Sequence, residues 1–338
     1  MKRVITFVIS YSFLWILWTF VILCPSTKAQ WEGAQKVQLT DEDLPNKIIG
    51  LYIDDNDKLH LFYSEGVRDT LTGFVYDHRL FYITKEKGEE WSQPEEIETP
   101  VYIIGQNRKS VVGFDTKTLI IHILYYPYSS YDTLYYTNSS TPDWEFVKID
   151  SLEQGHEYVL PDMAFDSLGN VHVAWYESYW SGGSWARFWY ANNSTGAWVK
   201  QPVSPPICLS FGGTWAALLA VETNGTAHIT YGGVDESECY YVRNDSLNSQ
   251  NWETDTIPRP SIPLCAHWYQ ELLADPSNTI HLFTRGFSCP GGDTIFQFYY
   301  HKQGDDSIWS QPDLVQVHPP DSGLIEDYFI DQQSHVHL

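Results

Sequence analysis

Residues 165–198 read FDSLGNVHVAWYESYWSGGSWARFWYANNSTGAW, and the order of residue types in this stretch decides the fold. An apolar residue and an acid, Phe165-Asp166, are followed by four variable residues and then Val171-His172-Val173. An aromatic run, Phe188-Trp189-Tyr190, then leads through a polar turn to Trp198. The same unit can be traced along the whole chain. Its first half recurs as Ile53-Asp54 to His60, Val221-Glu222 to His228, Ala274-Asp275 to His281 and Ile330-Asp331 to His337, and with one extra residue as Phe114-Asp115 to His122. Its second half recurs as Leu80-Phe81-Tyr82 to Trp91, Leu134-Tyr135-Tyr136 to Trp144, Tyr240-Tyr241 to Trp252 and Phe298-Tyr299-Tyr300 to Trp309. Successive tryptophans stand 53, 54, 54 and 57 residues apart.

Each unit holds about four short runs of β-branched and aromatic residues, broken by Gly, Asn, Asp, Ser or Pro, with no stretch of helical period. A four-stranded unit of this length, repeated, is the sequence pattern of a β-propeller blade. The expectation is an all-β, six-bladed propeller of antiparallel blades. In each blade the inner strand ends at the acid, the second carries the His, the third carries the Tyr pair and the outer one starts at the Trp. Trp31 to Val37 matches an outer strand with no blade before it, and the sixth unit breaks off inside its second strand at His337-Leu338. The sequence therefore reads as a fragment truncated in its last blade, with the N-terminal strand closing the ring and hiding sheet edges.

Composition narrows the function. The chain is 43% apolar and 19% charged, so it folds, and its net charge of -23 repels phosphate backbones and anionic lipid alike. Nucleic-acid binding is excluded on that ground. Lys2 and Arg3, an apolar run from Val4 to Cys24 and small residues to Ala29 read as a signal peptide over residues 1–29, or as an uncleaved anchor. The propeller, residues 30–338, is thus expected to be secreted or held at the cell surface. Four cysteines remain in it, an even number in an exported chain, which favours disulfides over zinc. Cys208 and Cys265 precede inner strands while Cys239 and Cys289 sit in the next loops of the same blades, so the expected pairs are Cys208 with Cys239 and Cys265 with Cys289. The sequons at Asn138, Asn192, Asn193, Asn224 and Asn244 matter only in a host that glycosylates secreted Asn.

The turn Thr84-Lys-Glu86-Lys-Gly88-Glu-Glu-Trp91 resembles the Ser-x-Asp-x-Gly-x-x-Trp turn of the sialidase-like superfamily, propellers with BNR or Asp-box repeats. Later copies in this chain are degenerate. The resemblance implies the propeller and places such turns on the face opposite the ligand. It also implies that an active member would hold a substrate carboxylate with three arginines and attack with a Tyr. Here Lys47-Ile48-Ile49 replaces the expected Arg-Ile-Pro, and of the arginines only Arg108 stands at an inner-strand start, while Arg187, Arg243 and Arg285 belong to other strands. The catalytic set does not carry over, and sialidase activity is not expected.

Residues that repeat with the unit occupy different places around the ring, so the histidines cannot converge on one ion and the repeated Trp and Tyr are packing residues. The informative residues break the repeat and lie in loops that open on one face: His156, Tyr158, Trp180 and Trp185 in the third unit, Trp215 before the fourth, and His267, Trp268 and Tyr269 before the fifth. Aromatic rings of this kind stack on sugars, with His and carboxylates fixing polar groups. Four residues before the repeated acid, Asp162, Glu271 and Asp327 place carboxylates along the channel, where solvation, a structural cation such as calcium, or acid–base chemistry are the alternatives. No cofactor or metal centre is expected. The leading expectation is an extracellular glycan-recognition or surface-adhesion propeller with a glycan or a surface protein as partner. The rivals are a glycan-cleaving hydrolase or lyase using the His, Tyr and carboxylate groups, and a structural interaction scaffold.

Overall fold

The computed structural model describes residues 46–337 except 55, 69–74, 98–110, 126–132, 209–216, 233–238, 245–250, 259–265, 289–294, 304–307, 319–328 and 331–335. The candidate residues Arg108, Trp215, Asp327, Cys265 and Cys289, the signal segment and the strand Trp31 to Val37 lie outside the described residues.

Every sheet follows the meander that the repeat predicts. Blade 1 is β1 (Asn46–Ile53), β2 (Leu59–Arg68), β3 (Val75–Lys85) and β4 (Glu95–Ile97); blade 2 is β5 (Val111–Asp115), β6 (Ile120–Tyr125), β7 (Thr133–Asn138) and β8 (Val147–Ser151). Blade 3 is β9 (His156–Phe165), β10 (Val171–Trp180), β11 (Ser184–Asn192) and β12 (Val199–Pro202), with β13 (Ile207–Cys208) as a further short strand on β11. Blade 4 is β14 (Leu218–Val221), β15 (Ala227–Gly232), β16 (Cys239–Asn244) and β17 (Trp252–Thr256), and blade 5 is β18 (Ala266–Ala274), β19 (Ile280–Ser288), β20 (Ile295–Lys302) and β21 (Asp313–His318). A sixth sheet begins with β22 (Phe329–Ile330) and β23 (Val336–His337). The inner strands lie side by side in chain order, which is the propeller arrangement.

The repeated residues build each blade and join it to the next. The acid closes the first hairpin: Asp166 Oδ1 accepts the amides of Leu168 and Asn170 at 2.9 Å each, and Asp54 and Asp275 accept the equivalent amides. The second acid oxygen takes the His: His281 Nε2 donates to Asp275 Oδ2 at 3.1 Å, and the Tyr300 hydroxyl donates to Nδ1 at 2.7 Å. Blades 1 and 4 repeat the acid–His–Tyr chain, and these histidines are at most 3% exposed. Burial alone works against the Asp166 charge, but His172, whose Nε2 lies 3.5 Å from Oδ2, and hydrogen bonds from the Asn170 side chain and the two amides outweigh it and bring Asp166 down to about 2.

Blade 2 departs from this pattern because of its extra turn residue. Leu119 takes the left-handed conformation, φ 57°, used in the other turns by Asp57, Gly169, Gly225 and Asn278, and Thr118 captures Asp115 Oδ2 at 2.6 Å. His122 Nε2 is left buried with no hydrogen-bond partner, and burial pushes His122 down to about 4.

Between blades, three of the repeated Trp pack edge-on against the Tyr of the preceding blade: Trp198 on Tyr136 at 5.1 Å, Trp252 on Tyr190 at 5.4 Å and Trp309 on Tyr241 at 5.0 Å. Such pairs contribute about 0.5–1.5 kcal/mol beyond their area. This use of the indole corrects the placement of the Trp at the start of every outer strand. Only Trp252 opens its strand, while Trp91, Trp144, Trp198 and Trp309 stand before theirs. Close approach in the channel depends on Gly113, where a Cβ would meet Met163 Cε at 2.6 Å and Phe165 Cζ at 2.7 Å of blade 3. The turn over residues 84–91 of blade 1 is closed, with Gly88 left-handed at φ 83° and the Ser92 amide donating to the Thr84 carbonyl at 2.8 Å.

Two further expectations change. Cys208 is a free, exposed thiol, so the pair with Cys239 is not formed. The reason is topological: Cys208 pairs opposite Trp185 on β13 and so belongs to blade 3, whereas Cys239 opens β16 of blade 4. Asp162 is no free channel acid either. Its Oδ1 accepts the Met163 amide and its Oδ2 the Leu219 amide, both at 2.8 Å, which ties blade 3 to blade 4. It follows a β-bulge on the inner strand, as does the half-buried Glu271 on β18, and a bulge re-aims the side chain after it.

Candidate functional site

Side chains alternate along a strand, so the register of β9, β10 and β11 sorts the blade 3 candidates onto two faces. His156 pairs with Tyr179, which pairs with Trp185; Tyr158 pairs with Glu177, which pairs with Arg187; Trp175 pairs with Trp189. All of these share one face. Trp180 pairs with Ser184 and projects from the other face, 75% exposed at the hairpin tip. The two tryptophans read together from the sequence therefore do not line one surface.

Depth divides the shared face. Its lower part is core: Tyr158 and Trp175 are fully buried, which removes Tyr158 from the ligand-contacting residues. Burial raises the Tyr158 hydroxyl far above the usual phenol range, and the Asp150 and Glu177 charges push it the same way. Beside them Lys200, paired with Asp150 of blade 2, lies 3.7 Å from the centre of the Trp189 ring.

At the rim the face opens. His156 and Tyr179 stack at 4.5 Å with ring planes 9° apart, and Trp185, half-exposed, donates its indole N–H to the Ser181 carbonyl at 3.2 Å. That bond holds the hairpin tip closed. Beneath the stack, Glu177 is 6% exposed and accepts from His156 Nδ1 through Oε1 and from Trp189 Nε1 through Oε2 at 2.7 Å. The carboxylate makes Nδ1 the donating nitrogen and fixes the orientation of the imidazole. The result is a rigid ledge of rings backed by a buried, bonded acid.

Glu177, Tyr179, Arg187 and Trp189 escaped the sequence reading because they sit inside strands rather than in loops. One signal could have found two of them: a Glu five residues after the repeated His and an Arg three before the repeated Tyr occur together only in units one and three, as Glu65 with Arg79 and Glu177 with Arg187. His267, Trp268 and Tyr269 lie on β18, where the backbone is described but those side chains are not. Among the described residues no cluster of three His, Cys, Asp or Glu side chains could hold a metal, and no helix is long and apolar enough to cross a membrane.

No family model matches the chain, and no curated protein matches it in sequence. Solved structures similar to it include a polysaccharide lyase, an ulvan lyase, at 12% identity over 85% of this chain and 73% of that one, TM-score 0.47. A GH43_1 enzyme from Xanthomonas citri is 11% identical over 80% of this chain and 91% of its own, TM-score 0.40. A fungal lectin from Aleuria aurantia described as a six-bladed β-propeller is 9% identical over 81% and 78%, TM-score 0.43. With every one of these scores below 0.5, the propeller assignment rests on the sheets themselves.

Proposed function

We propose that this protein is an exported propeller that recognises glycans at the rim of blade 3. The observation that carries the reading is the half-open ring ledge of His156, Tyr179 and Trp185, held over the buried Glu177. Planar rings offer the C–H faces of a sugar a large contact area at little conformational cost, and a ledge that is already ordered limits the entropy lost on binding. Trp180, on the other side of the same hairpin, adds a second exposed ring for a longer chain. A surface protein in place of a glycan would call for a broader apolar area than one hairpin provides. Export rests on the N-terminal apolar run and the acidic surface.

The test is glycan-array screening followed by calorimetry on the purified chain, with Trp185→Ala and Trp180→Ala. The expected result is saccharide binding weakened by about 1–3 kcal/mol in Trp185→Ala, the scale of one lost anchor, with the melting transition retained. Undiminished binding in the double variant would remove the rim as the site.

A specific observation favours one second reading, a glycan-cleaving enzyme. His156 is oriented by a buried carboxylate through Nδ1, and among the described residues its Nε2 has no partner, an arrangement suited to proton transfer. Release of reducing ends, or of unsaturated products absorbing in the ultraviolet, from polysaccharides incubated with the protein would establish it, provided the release disappears in His156→Gln.

A further inference from the structure

Blades 1 and 3 carry the same cross-strand pair, and only one copy is closed. In blade 1 Glu65 is 1% exposed and accepts from Arg79 Nη2 at 2.6 Å; Arg79 Nη1 reaches a second acceptor, Glu96 Oε2 on β4, at 3.4 Å. The Arg79 guanidinium lies 5.3 Å from the centre of the Phe81 ring. Phe81 has no hydrogen to donate, so nothing in its ring competes for the Glu65 oxygens.

In blade 3 two of these three partners are replaced and the third, the Glu, is engaged elsewhere. Trp189 replaces Phe81, and its indole N–H takes Glu177 Oε2; His156 takes Oε1. The position opposite the ring, held by Glu96 in blade 1, is Pro202, which offers no carboxylate. Arg187 keeps the stacking, 5.4 Å from the Trp189 ring centre, but among the described residues it forms no ion pair. A half-exposed guanidinium with five donors is thereby left one register step below the ring ledge, on the same face as Trp185 and Tyr179. Glu177 offsets its charge in part, but each of its oxygens is already turned to another donor, His156 or Trp189.

The geometry points to Arg187 as an anion-binding residue, so that the rim takes saccharides bearing a carboxylate or a sulfate ester. This rests on the glycan reading above and names its ligand class. The planar fork binds either anion through two parallel N–H···O bonds, while the neighbouring rings take the adjacent sugar face. It requires no arginine cluster, only the opening of one ion pair that the first blade keeps shut. The chain's overall charge of -23 repels polyanions at a distance, so the preference is for single anionic groups seated at Arg187 rather than for charge density along the chain.

The experiment uses matched probes on the full chain: a galacturonic acid oligomer and its methyl ester, and a sulfated galactan oligomer and its desulfated form. Calorimetry is run on wild type, Arg187→Gln, Arg187→Lys and Trp185→Ala. The expected result is that one or both anionic probes bind about ten- to a hundredfold more tightly than their neutral partners, the range of a hydrogen-bonded charge pair, and that this preference vanishes in Arg187→Gln and falls in Arg187→Lys. Because Arg187 forms no ion pair among the described residues, Arg187→Gln should melt with wild type, and added salt should weaken only the anionic probes. The pair that shows the preference identifies carboxylate or sulfate. Equal binding of charged and neutral probes, or a preference that survives Arg187→Gln, overturns the proposal while leaving glycan recognition intact. Absence of binding to all four probes together with a blank glycan array overturns both.

Discussion

Acidification should unfold this protein in part through a single histidine. His122 is 4% exposed, its Nε2 has no partner, and its pKa falls to about 4 because burial disfavours the imidazolium more than Asp115 favours it. The folded pKa lies below the unfolded value of 6.5, so the unfolded chain binds the proton more readily. Stability from this residue is complete above pH 6.5 and is lost as pH falls toward 4. Between pH 7 and pH 5 the linkage amounts to about 2 kcal/mol, at roughly 1.36 kcal/mol for each pH unit below the unfolded pKa. Surface screening does not reduce this figure, since the group is out of water. His122→Gln keeps a polar group beside Tyr136 but removes the titration. Urea unfolding followed by tryptophan fluorescence at half-unit pH steps should show wild type more stable at pH 7 and that advantage shrinking by about 2 kcal/mol by pH 5. The other buried histidines cancel in the comparison. Parallel stability curves for the two proteins would refute the reasoning, and an advantage that grew on acidification would mean that Asp115 holds His122 charged.

Two further outcomes test the packing and the topology. Gly113→Ala should destabilise the protein by about 1–3 kcal/mol in urea melts, because the new methyl meets Met163 and Phe165 of the next blade well inside contact distance; an unchanged midpoint would show that the inner strands are not packed as described. Cys208 should react fully with a thiol-alkylating reagent in the native, unreduced protein, as read by intact mass, and resistance until reduction would restore the pairing with Cys239.

The division between sequence and tertiary structure follows from what repeats. The acid, His, Tyr and Trp recur because every blade must close the same hairpin and cover the same neighbour, so the four-stranded blade, its strand order and the structural role of the histidines were legible from spacing alone. Even the irregular second blade was visible as one extra residue before His122, although its consequence, a buried imidazole parted from Asp115, was not. The candidate site was only half legible. His156, Trp180 and Trp185 stood out by breaking the repeat, but their grouping depended on the parity of antiparallel register, which sends Trp180 to one face and His156 with Trp185 to the other. Tyr158 looked like a ligand group until depth along the strand put it in the core. Cys208 seemed to belong to the fourth blade until a two-residue strand claimed it for the third. Arg187 was dismissed because it lies within a strand, and no spacing reveals that its acid is taken by an imidazole and an indole from two other positions. Spacing encodes the hydrogen bonds each blade makes with itself. Which side chains compete for one buried carboxylate depends on three strands meeting at a given depth, and that is settled only when the sheet is folded and packed.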